Sequence, residues 1–314
     1  ACACGNFSAV TRIAYLGPAG TFTEAAARRF DLPDPDFVPV DSPAAALDAV
    51  RAGEADVAVV AIENSVDGAV TSTSDALVEP GVQILAETEL EIAFAIMTRR
   101  SFSLDDASSL TTHPVAYQQV KGWVSERLPG VEFISASSNA AAARMVADGE
   151  ADVAAAPERA AELFDLEIHA RGVADMDSAR TRFVLVGPVR VPPARTGNDR
   201  TSIVFQTPNE PGTLVAILQE FAYRGVDMSR IESRPTRQEP NTYNFFVDLV
   251  GHVDDAPVAE AMRGVYLRAS WVRFLGSWPK ASGAPAPVDQ TRIADAEAWV
   301  RAAREGQTQT EGER

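Results

Sequence analysis

Four polar clusters follow or begin the strands that this 314-residue sequence predicts, and they are its candidates for chemistry. Two of them are the turn from Gly17 to Thr21 and the turn from Asn64 to Gly68, each of which leads into a predicted helix. The unpaired backbone N–H groups and the positive dipole end of a helix N-terminus favour an anion. Two such turns suit a ligand that carries carboxylates, although either one alone is also typical of ordinary helix capping.

The other two clusters carry hydroxyl, amide and guanidinium groups. Thr112-His113-Pro114 is followed by Gln118 and Gln119 on the next turns of a predicted helix, whereas Arg180-Thr181-Arg182-Phe183 enters a predicted strand. Two guanidinium groups beside a hydroxyl could bind a carboxylate and polarise that hydroxyl. Structural interpretations remain open, since His113 could cap or pack a helix and the two arginines could form a solvated strand edge.

Composition argues against several classes of function. The formal net charge of −16 does not suit a nucleic-acid partner, and none of the three histidines has a carboxylate or cysteine at metal-ligand spacing. The turn after Gly17 lacks the lysine of a phosphate loop. Cys2 and Cys4 both precede the first predicted strand, and no apolar run approaches the roughly 18 residues of a membrane span. We expect a small-molecule ligand, no metal, no membrane contact and a cytoplasmic location.

A repeated phrase indicates the elements that position these clusters. Residues Ser42–Ala58 return as Ser138–Ala154, both ending in Gly-Glu-Ala-Asp-Val-Ala. Each copy predicts a Ser-capped helix, a glycine stop and a buried strand. Strands and helices alternate through about residue 189, which indicates parallel sheets covered by helices, one sheet per copy. Only the first copy continues into Ile62–Gly68, so we expect two lobes around a cleft with the chemistry concentrated on one side.

A second module follows a linker from Gly187 to Asp199. Its pattern of strands and helices has the order βαββαβ, which describes a ferredoxin-like sandwich. The predicted elements are strands over 201–206, 227–234, 243–250 and 271–275 and helices over 212–223 and 257–269. Beyond Pro279 the chain is rich in proline, alanine and charge, with one candidate helix from Ile293 to Arg304. The predicted domains are therefore 11–190, 200–278 and a polar tail over 279–314.

Taken together and in order, the motifs resemble those of prephenate dehydratases. The matching segments are Gly17-Pro-Ala-Gly-Thr21, Ile62-Glu-Asn-Ser-Val-Asp-Gly68, Thr112-His-Pro114 with Gln119, and Thr181-Arg-Phe183. The second module resembles an ACT regulatory domain, with Pro211-Gly-Thr-Leu214 and Glu232-Ser-Arg-Pro235 at the family's positions. The resemblance covers roughly residues 12–278. It implies an α/β catalytic module with the two-lobed fold of type II periplasmic binding proteins, followed by a ferredoxin-like ACT domain.

The resemblance also implies a reaction, the conversion of prephenate to phenylpyruvate with loss of water and carbon dioxide and without a cofactor. Because expulsion of the C4 hydroxyl limits the rate, a proton donor at that oxygen is the main requirement. The family assigns this role to the threonine that matches Thr181. By the same match Asn64 orients the substrate, Glu63 supports Thr181, keeps the cleft polar or serves structure alone, and Thr112 and Gln119 complete the catalytic set.

Further residues are implied for binding. The resemblance assigns substrate binding to Thr21, Ser65, Gly68, Arg182 and Phe183. It assigns phenylalanine, as an effector at an interface between subunits, to Asn209, Pro211, Gly212, Thr213, Leu214, Glu232, Ser233, Arg234 and Pro235. We therefore expect a homo-oligomer, a dimer or tetramer, assembled through ACT domains. Two alternatives remain open, an arogenate dehydratase and a solute-binding or sensor protein.

Overall fold

The computed structural model describes residues 10–66, 68–175, 179–236, 240–283 and 290–307, which form two lobes and a C-terminal domain. The first lobe is a mixed sheet with three helices. Its strands are β1 (Thr11–Leu16), β2 (Pro35–Val40), β3 (Val57–Asn64), β4 (Gly68–Ala69), β5 (Val82–Glu91) and β11 (Arg180–Pro188), and its helices are α1 (Phe22–Ala27), α2 (Pro43–Arg51) and α3 (Thr71–Leu77). The strand order is β2-β1-β3-β11-β5, with β4 paired to β3.

The second lobe contains the second copy of the repeat. Its strands are β6 (Phe94–Thr98), β7 (Ser109–Thr112), β8 (Glu132–Ser135), β9 (Val153–Ala156) and β10 (Glu167–Val173), and its helices are α4 (Pro114–Arg127), α5 (Asn139–Ala147) and α6 (Glu158–Phe164), with a short 3-10 helix over Leu104–Asp106. The order is β10-β6-β9-β7-β8. One sheet per repeat copy, as predicted, is confirmed.

The two repeat copies fold alike. Ser42 caps α2 by accepting a hydrogen bond from the N–H of Ala45, and Ser138 caps α5 by accepting one from the N–H of Ala141, both at 3.0 Å. Each helix is followed by a glycine with positive φ, Gly53 at 72° and Gly149 at 81°. A side chain is strained in that conformation, so glycine ends each helix and turns the chain into the buried strand.

The prediction of parallel sheets is only partly correct. Strands β1, β2 and β3 are parallel, as are β7, β8 and β9, but β11 runs antiparallel to both β3 and β5, and β6 runs antiparallel to β9 and β10. The physical reason is the crossing between lobes. The chain leaves the first lobe from β5 into β6 and returns from β10 into β11. Strand β11 therefore enters the first sheet from the end at which β3 and β5 finish, and it runs back between them.

The C-terminal domain has the predicted βαββαβ order. Its elements are β12 (Asp199–Gln206), α7 (Thr213–Ala222), β13 (Met228–Pro235), β14 (Tyr243–Val250), α8 (Ala256–Arg268) and β15 (Trp271–Pro279), and helix α9 (Gln290–Arg304) follows. Its sheet has the antiparallel order β13-β14-β12-β15. No helix in the described parts of the chain combines the length and apolar character needed to cross a membrane.

The first sheet is covered on both faces, and this arrangement positions the site. On one face, Phe183 and Leu185 of β11 belong to a core that includes Val120 of the second lobe. On the other face, residues of the first sheet share a core with Phe246 and Trp278 of the C-terminal domain. The first lobe therefore lies between the second lobe and the C-terminal domain, and β11 contacts both.

Candidate active site

The centre of the site is a hydrogen bond between two strands. Thr181 at the start of β11 lies opposite Asn64 at the end of β3, and the Asn64 amide nitrogen donates to the Thr181 hydroxyl oxygen over 2.8 Å. The N–H of Val66 donates to the Asn64 side-chain oxygen, also over 2.8 Å, which fixes the orientation of the amide. Because Thr181 accepts from Asn64, its own hydroxyl hydrogen is directed elsewhere and can be donated to a ligand.

A β-bulge places this pair on the cleft side of the sheet. Phe183 lies opposite Ala61 and Arg182 lies opposite Glu63, so Ile62 is an extra residue on β3. Residues opposite each other in an antiparallel ladder share a face, and one extra residue exchanges the faces of the residues that follow it. The bulge therefore directs Asn64 to the same side as Thr181 and Glu63 to the side of Arg182.

Ser65 and Gly68 shape the turn beside this pair. The Ser65 hydroxyl accepts the N–H of Arg180 at 2.9 Å, and the N–H of Ser65 donates to the carbonyl of Arg180 at 2.8 Å. Gly68 lies opposite Asn64 in the ladder with φ of 81°, a conformation that favours glycine. Of these two residues, both predicted to bind substrate, Ser65 holds the end of β3 against β11, and Gly68 begins β4, which pairs with β3.

Arg182 lies on the opposite face of β11, which corrects the prediction that it binds substrate. Its guanidinium is buried and forms ion pairs with Glu63 at 2.9 Å, Glu87 at 3.2 Å and Asp248 at 2.7 Å. Burial lowers the pKa of Arg182, but the neighbouring carboxylates outweigh it and raise the pKa above its ordinary value. Arg182 is thus a permanently charged group saturated by acids from three strands, and Glu63 is one of its partners.

Phe183, two residues after Thr181 on β11, is buried. Its ring is 2% exposed and belongs to the core between the lobes. The ring packs the strand that carries Thr181, and its contact with substrate stays a prediction.

In the second lobe, Thr112 and Gln119 differ in whether their side-chain oxygen already has a hydrogen-bond partner. Thr112 is wholly buried and its hydroxyl donates to the carbonyl of Ala155 at 2.7 Å, and its catalytic role stays a prediction. His113 accepts the N–H of Val115 with its Nδ1 at 3.3 Å and caps α4, as in the structural alternative. Gln119 is 7% exposed, and its amide oxygen has no hydrogen-bond partner among the described residues. A buried amide of this kind is available to a ligand.

The segment before Thr181 is attached to the helix of Gln119. The N–H of Asp175 donates to the carbonyl of Gln119 at 2.6 Å, and the Asp175 carboxylate accepts the N–H of Gly122 at 2.6 Å. Sequence reasoning missed Asp175, because no local pattern relates it to α4. These bonds link the chain that leads into β11 to α4 of the other lobe.

An open cavity of about 700 Å³ lies between the lobes, bordered by Thr21, Asp41, His113, Ser138 and Asn139 among others. It adjoins the end of β1, which is two strands from β11 and thus roughly 10 Å from it. Thr21 caps α1, since its hydroxyl accepts the N–H of Glu24 at 3.3 Å. The predicted cleft between lobes is present, and Thr21 borders it.

The predicted effector residues fall into two groups. Asn209, Gly212, Thr213 and Leu214 border a cavity of about 190 Å³ that also touches Tyr243. Pro211 precedes Gly212, which has a φ of 85° and is the residue directly before α7.

The second group lies on β13 and alternates between two faces. Glu232 and Arg234 face the first lobe, where Ser74 of α3 donates its hydroxyl to Glu232 at 3.1 Å and Arg234 pairs with Asp75 at 3.0 Å. Ser233 and Pro235 alternate with them along β13, opposite Phe245 and Tyr243 of β14. Glu232 and Arg234 therefore contact the catalytic module and do not border the cavity near Leu214.

Comparisons with known proteins identify two families that match the chain. The sequence pattern of the family described as prephenate dehydratase matches residues 13–190, and that of the ACT domain matches residues 201–265. A protein from Corynebacterium glutamicum named prephenate dehydratase is 54% identical over 308 residues, which are 95% of this chain and 98% of that protein.

Two solved structures extend the comparison. Prephenate dehydratase from Arthrobacter aurescens, in complex with L-Phe, has a TM-score of 0.86 and 40% identity, covering 94% of this chain and 100% of that one. A structure described as a novel type of quorum-quenching acylase has a TM-score of 0.78 and 32% identity, covering 86% and 98%. The predicted family and fold class are confirmed.

Proposed function

Because the chain belongs to the prephenate dehydratase family, we propose that Thr181 donates a proton or a strong hydrogen bond to the departing C4 hydroxyl of prephenate. The observation that carries the assignment is the bond from the Asn64 amide to the Thr181 oxygen. In this bond the Thr181 oxygen is the acceptor, so the hydrogen of the Thr181 hydroxyl stays available to the substrate. The protein then acts as a carbon–oxygen lyase that forms phenylpyruvate.

The electron flow explains why these groups suffice. The bond between C1 and its carboxylate breaks and carbon dioxide leaves, while that electron pair enters the ring as it becomes aromatic. The bond between C4 and its oxygen breaks with both electrons on oxygen, which needs a proton to leave as water. When Thr181 donates, negative charge develops on its oxygen, and the fixed N–H of Asn64 stabilises that charge until a proton from solvent restores the hydroxyl.

The remaining polar groups suit a dianionic substrate held between the lobes. Gln119 offers a buried amide oxygen without a partner among the described residues, which can accept a hydrogen bond from a substrate hydroxyl. His113 and Ser138 lie at helix N-termini that border the cavity between the lobes. Helix N-termini favour carboxylates. Bound substrate would thus bridge both lobes, with Thr181 and Asn64 on one side and α4 on the other.

Phenylalanine is the proposed effector. The Arthrobacter aurescens relative was solved with L-Phe, and this chain has a small cavity at Gly212–Leu214 beside Tyr243 and Phe245. An amino acid that binds a subunit arrangement preferentially shifts the population toward it. We extend the proposal to lower activity with phenylalanine bound and to a homo-oligomer formed through ACT domains.

One experiment tests both parts. The purified chain is incubated with prephenate, and phenylpyruvate absorbance is followed with and without phenylalanine, with arogenate assayed in parallel. We expect turnover of prephenate, and a lower rate with phenylalanine. A much larger kcat/KM with arogenate would overturn the substrate assignment, and calorimetry that detects no phenylalanine binding would overturn the regulatory one.

A pair of glycine variants locates the effector site. Gly212→Val places a side chain at a residue with φ of 85° beside the small cavity, so it should weaken the response to phenylalanine. Gly225→Val is the matched control, because Gly225 has φ of 64° and open space around it at the other end of α7. Equal responses to phenylalanine in the two variants would place the effector elsewhere.

A further inference from the structure

A cluster of buried charges joins the catalytic module to the ACT domain. It contains three arginines, Arg182, Arg200 and Arg230, and two acids with wholly buried carboxylates, Glu87 and Asp248. Charges are rarely buried unless they are paired and hydrogen-bonded, because removing them from water is costly. Such a cluster ties together the elements that contribute to it, because separating them breaks ion pairs between buried charges.

Asp248 is the member that connects most of these elements. It lies in β14, inside the apolar run Phe245 to Val250, and its Oδ2 accepts from Arg182 at 2.7 Å, from Arg230 at 3.1 Å and from Arg200 at 3.4 Å. Arg182 belongs to the catalytic module, whereas Arg200 and Arg230 belong to the ACT domain. One carboxylate of the regulatory domain thus holds the guanidinium that follows Thr181 in sequence.

Arg182 is held at both ends of its fork. One nitrogen donates to Glu87 at 3.2 Å, and the other donates to Asp248 and, at 2.9 Å, to Glu63. The planar guanidinium fixes geometry through several directed bonds, which an ammonium group cannot do. Because Thr181 precedes Arg182 and Asn64 follows Glu63, this fork fixes the two backbone positions from which the catalytic hydrogen bond is made.

A second connection runs from the ACT domain to the first lobe. Arg230 pairs with Glu232, and Glu232 accepts the Ser74 hydroxyl of α3. The neighbouring Thr73 donates to the carbonyl of Ala61 at 2.6 Å, next to the bulge that directs Asn64 into the cleft. The first route therefore ends at Arg182 and Glu63, the sequence neighbours of Thr181 and Asn64, and the second ends at Ala61, beside the bulge that precedes Asn64.

We propose that Asp248 is a positioning residue for Thr181, acting through Arg182, so that the ACT domain is part of the catalytic apparatus as well as its regulator. The inference rests on the proposed function, since it assumes that Thr181 acts on prephenate. Asp248 does not touch substrate, because it lies on the opposite face of the sheet. Its effect should appear in kcat, with little change in KM.

The test compares Asp248→Asn with a matched control, Glu220→Gln, in the full chain. Glu220 is also a mostly buried acid of the ACT domain held by two arginines, Arg224 and Arg268, but it lies between α7 and α8. We expect Asp248→Asn to lower kcat roughly tenfold, within the range for residues of one hydrogen-bond network. Glu220→Gln should leave kcat and KM near wild type. Equal losses of kcat in the two variants would mean a merely structural role and overturn the proposal.

A double-mutant cycle separates positioning from general damage. If Asp248 acts through Thr181, Asp248→Asn should lower kcat in the wild-type background and have little further effect in Thr181→Ala, since the group it positions is gone. Asn64→Ala provides a second background, in which the same loss should shrink. Additive losses in both backgrounds would overturn the proposal.

Circular dichroism and thermal melts establish that each variant is folded. If Asp248→Asn does not fold, Arg182→Lys takes its place, because an ammonium group keeps the charge but loses the planar fork that spans Glu87 and Asp248. Its loss of kcat should likewise vanish in Thr181→Ala, and additivity would again contradict the proposal. A wild-type chain without prephenate turnover would instead overturn the proposed function, so the two failures are distinguishable.

Discussion

The two faces of strand β11 perform opposite tasks. On the cleft face, the Thr181 oxygen accepts from Asn64 while its hydrogen is directed away, and in the facing lobe the Gln119 amide oxygen has no partner among the described residues. On the other face, Arg182 is saturated by three carboxylates. Consecutive residues of one strand thus present a hydrogen-bond group that a ligand can use and a buried charge that is already paired with three carboxylates.

Under the proposed function, the difference between the two faces accounts for how the weakly acidic Thr181 hydroxyl acts as a donor. A catalytic group needs bonding capacity left for the transition state, whereas its support needs every bond already formed. Because side chains alternate along a strand, Thr181 and Arg182 lie on opposite faces of β11. The bulge at Ile62 gives β3 the same arrangement, with Asn64 on the Thr181 face and Glu63 on the Arg182 face. Chemistry and support are therefore adjacent in sequence but do not compete for the same space.

The largest expected effect comes from removing the group on the cleft face. Thr181→Ala should lower kcat at least about 100-fold, the low end for loss of a positioned proton donor, with a much smaller change in KM. Steady-state kinetics with prephenate measure both constants. Thr111→Ala is the matched control, because Thr111 is also a buried strand threonine, in the second lobe, and does not line the described site. Near-normal turnover in Thr181→Ala would remove this residue from the mechanism.

Much of the cleft face was predictable from sequence. The repeat predicts the two lobes, and the polar residues after β3 and at the start of β11 indicate Asn64 and Thr181, because these signals are local in the chain. Their direct contact was not predictable, since it depends on a register between residues 117 positions apart and on the bulge at Ile62. The antiparallel entry of β11 was missed for the same reason.

The opposite face was largely unpredictable. Arg182 looked like a carboxylate-binding residue because the sequence does not show that the ACT domain supplies its partner. Asp248 had one available signal, an acid inside the apolar run from Phe245 to Val250, which predicts a buried charge with a partner but does not identify it. The partners of both residues depend on packing between domains, which no sequence periodicity predicts.

A side chain at Gly276 should push the ACT domain away from the first lobe on the Arg182 side of the sheet. Gly276 of β15 packs on β5 with φ of 145°, and a Cβ there would lie 2.3 Å from the carbonyl oxygen of Ile84. Gly276→Ala should lower the free energy of unfolding by about 1–3 kcal/mol, the usual cost of overpacking, and should also lower kcat because β5 carries Glu87. Urea unfolding and steady-state kinetics measure the two effects.

Gly225→Ala is the control for Gly276→Ala. Gly225 also has a positive φ, 64°, but a Cβ there meets nothing within 4 Å, so its variant carries backbone strain without a clash. It should cost less stability than Gly276→Ala and leave kcat unchanged. If the two variants lose equal stability, close approach of β15 and β5 does not determine how firmly the ACT domain is held.

The smallest expected effect is a change in how the free energy of unfolding depends on pH, and it distinguishes the two faces of β11. Burial raises the pKa of Asp248, but Arg230, Arg182 and Arg200 outweigh it and hold the pKa well below its usual range. Below about pH 4 the unfolded chain then binds a proton at this residue that the folded chain does not. Stability from this group is complete above that pH and falls as pH decreases, by at most about 1.4 kcal/mol per pH unit.

Urea unfolding between about pH 3 and pH 5, around the ordinary pKa of an aspartate, measures this term in wild type, Asp248→Asn and Thr181→Ala. The free energy of unfolding should decline less steeply in Asp248→Asn than in wild type, because its amide does not titrate. Thr181→Ala should keep the wild-type slope, since the hydroxyl and amide groups on the cleft face carry no charge. Parallel curves for wild type and Asp248→Asn would contradict an ionised Asp248 and with it the charge cluster that supports β11.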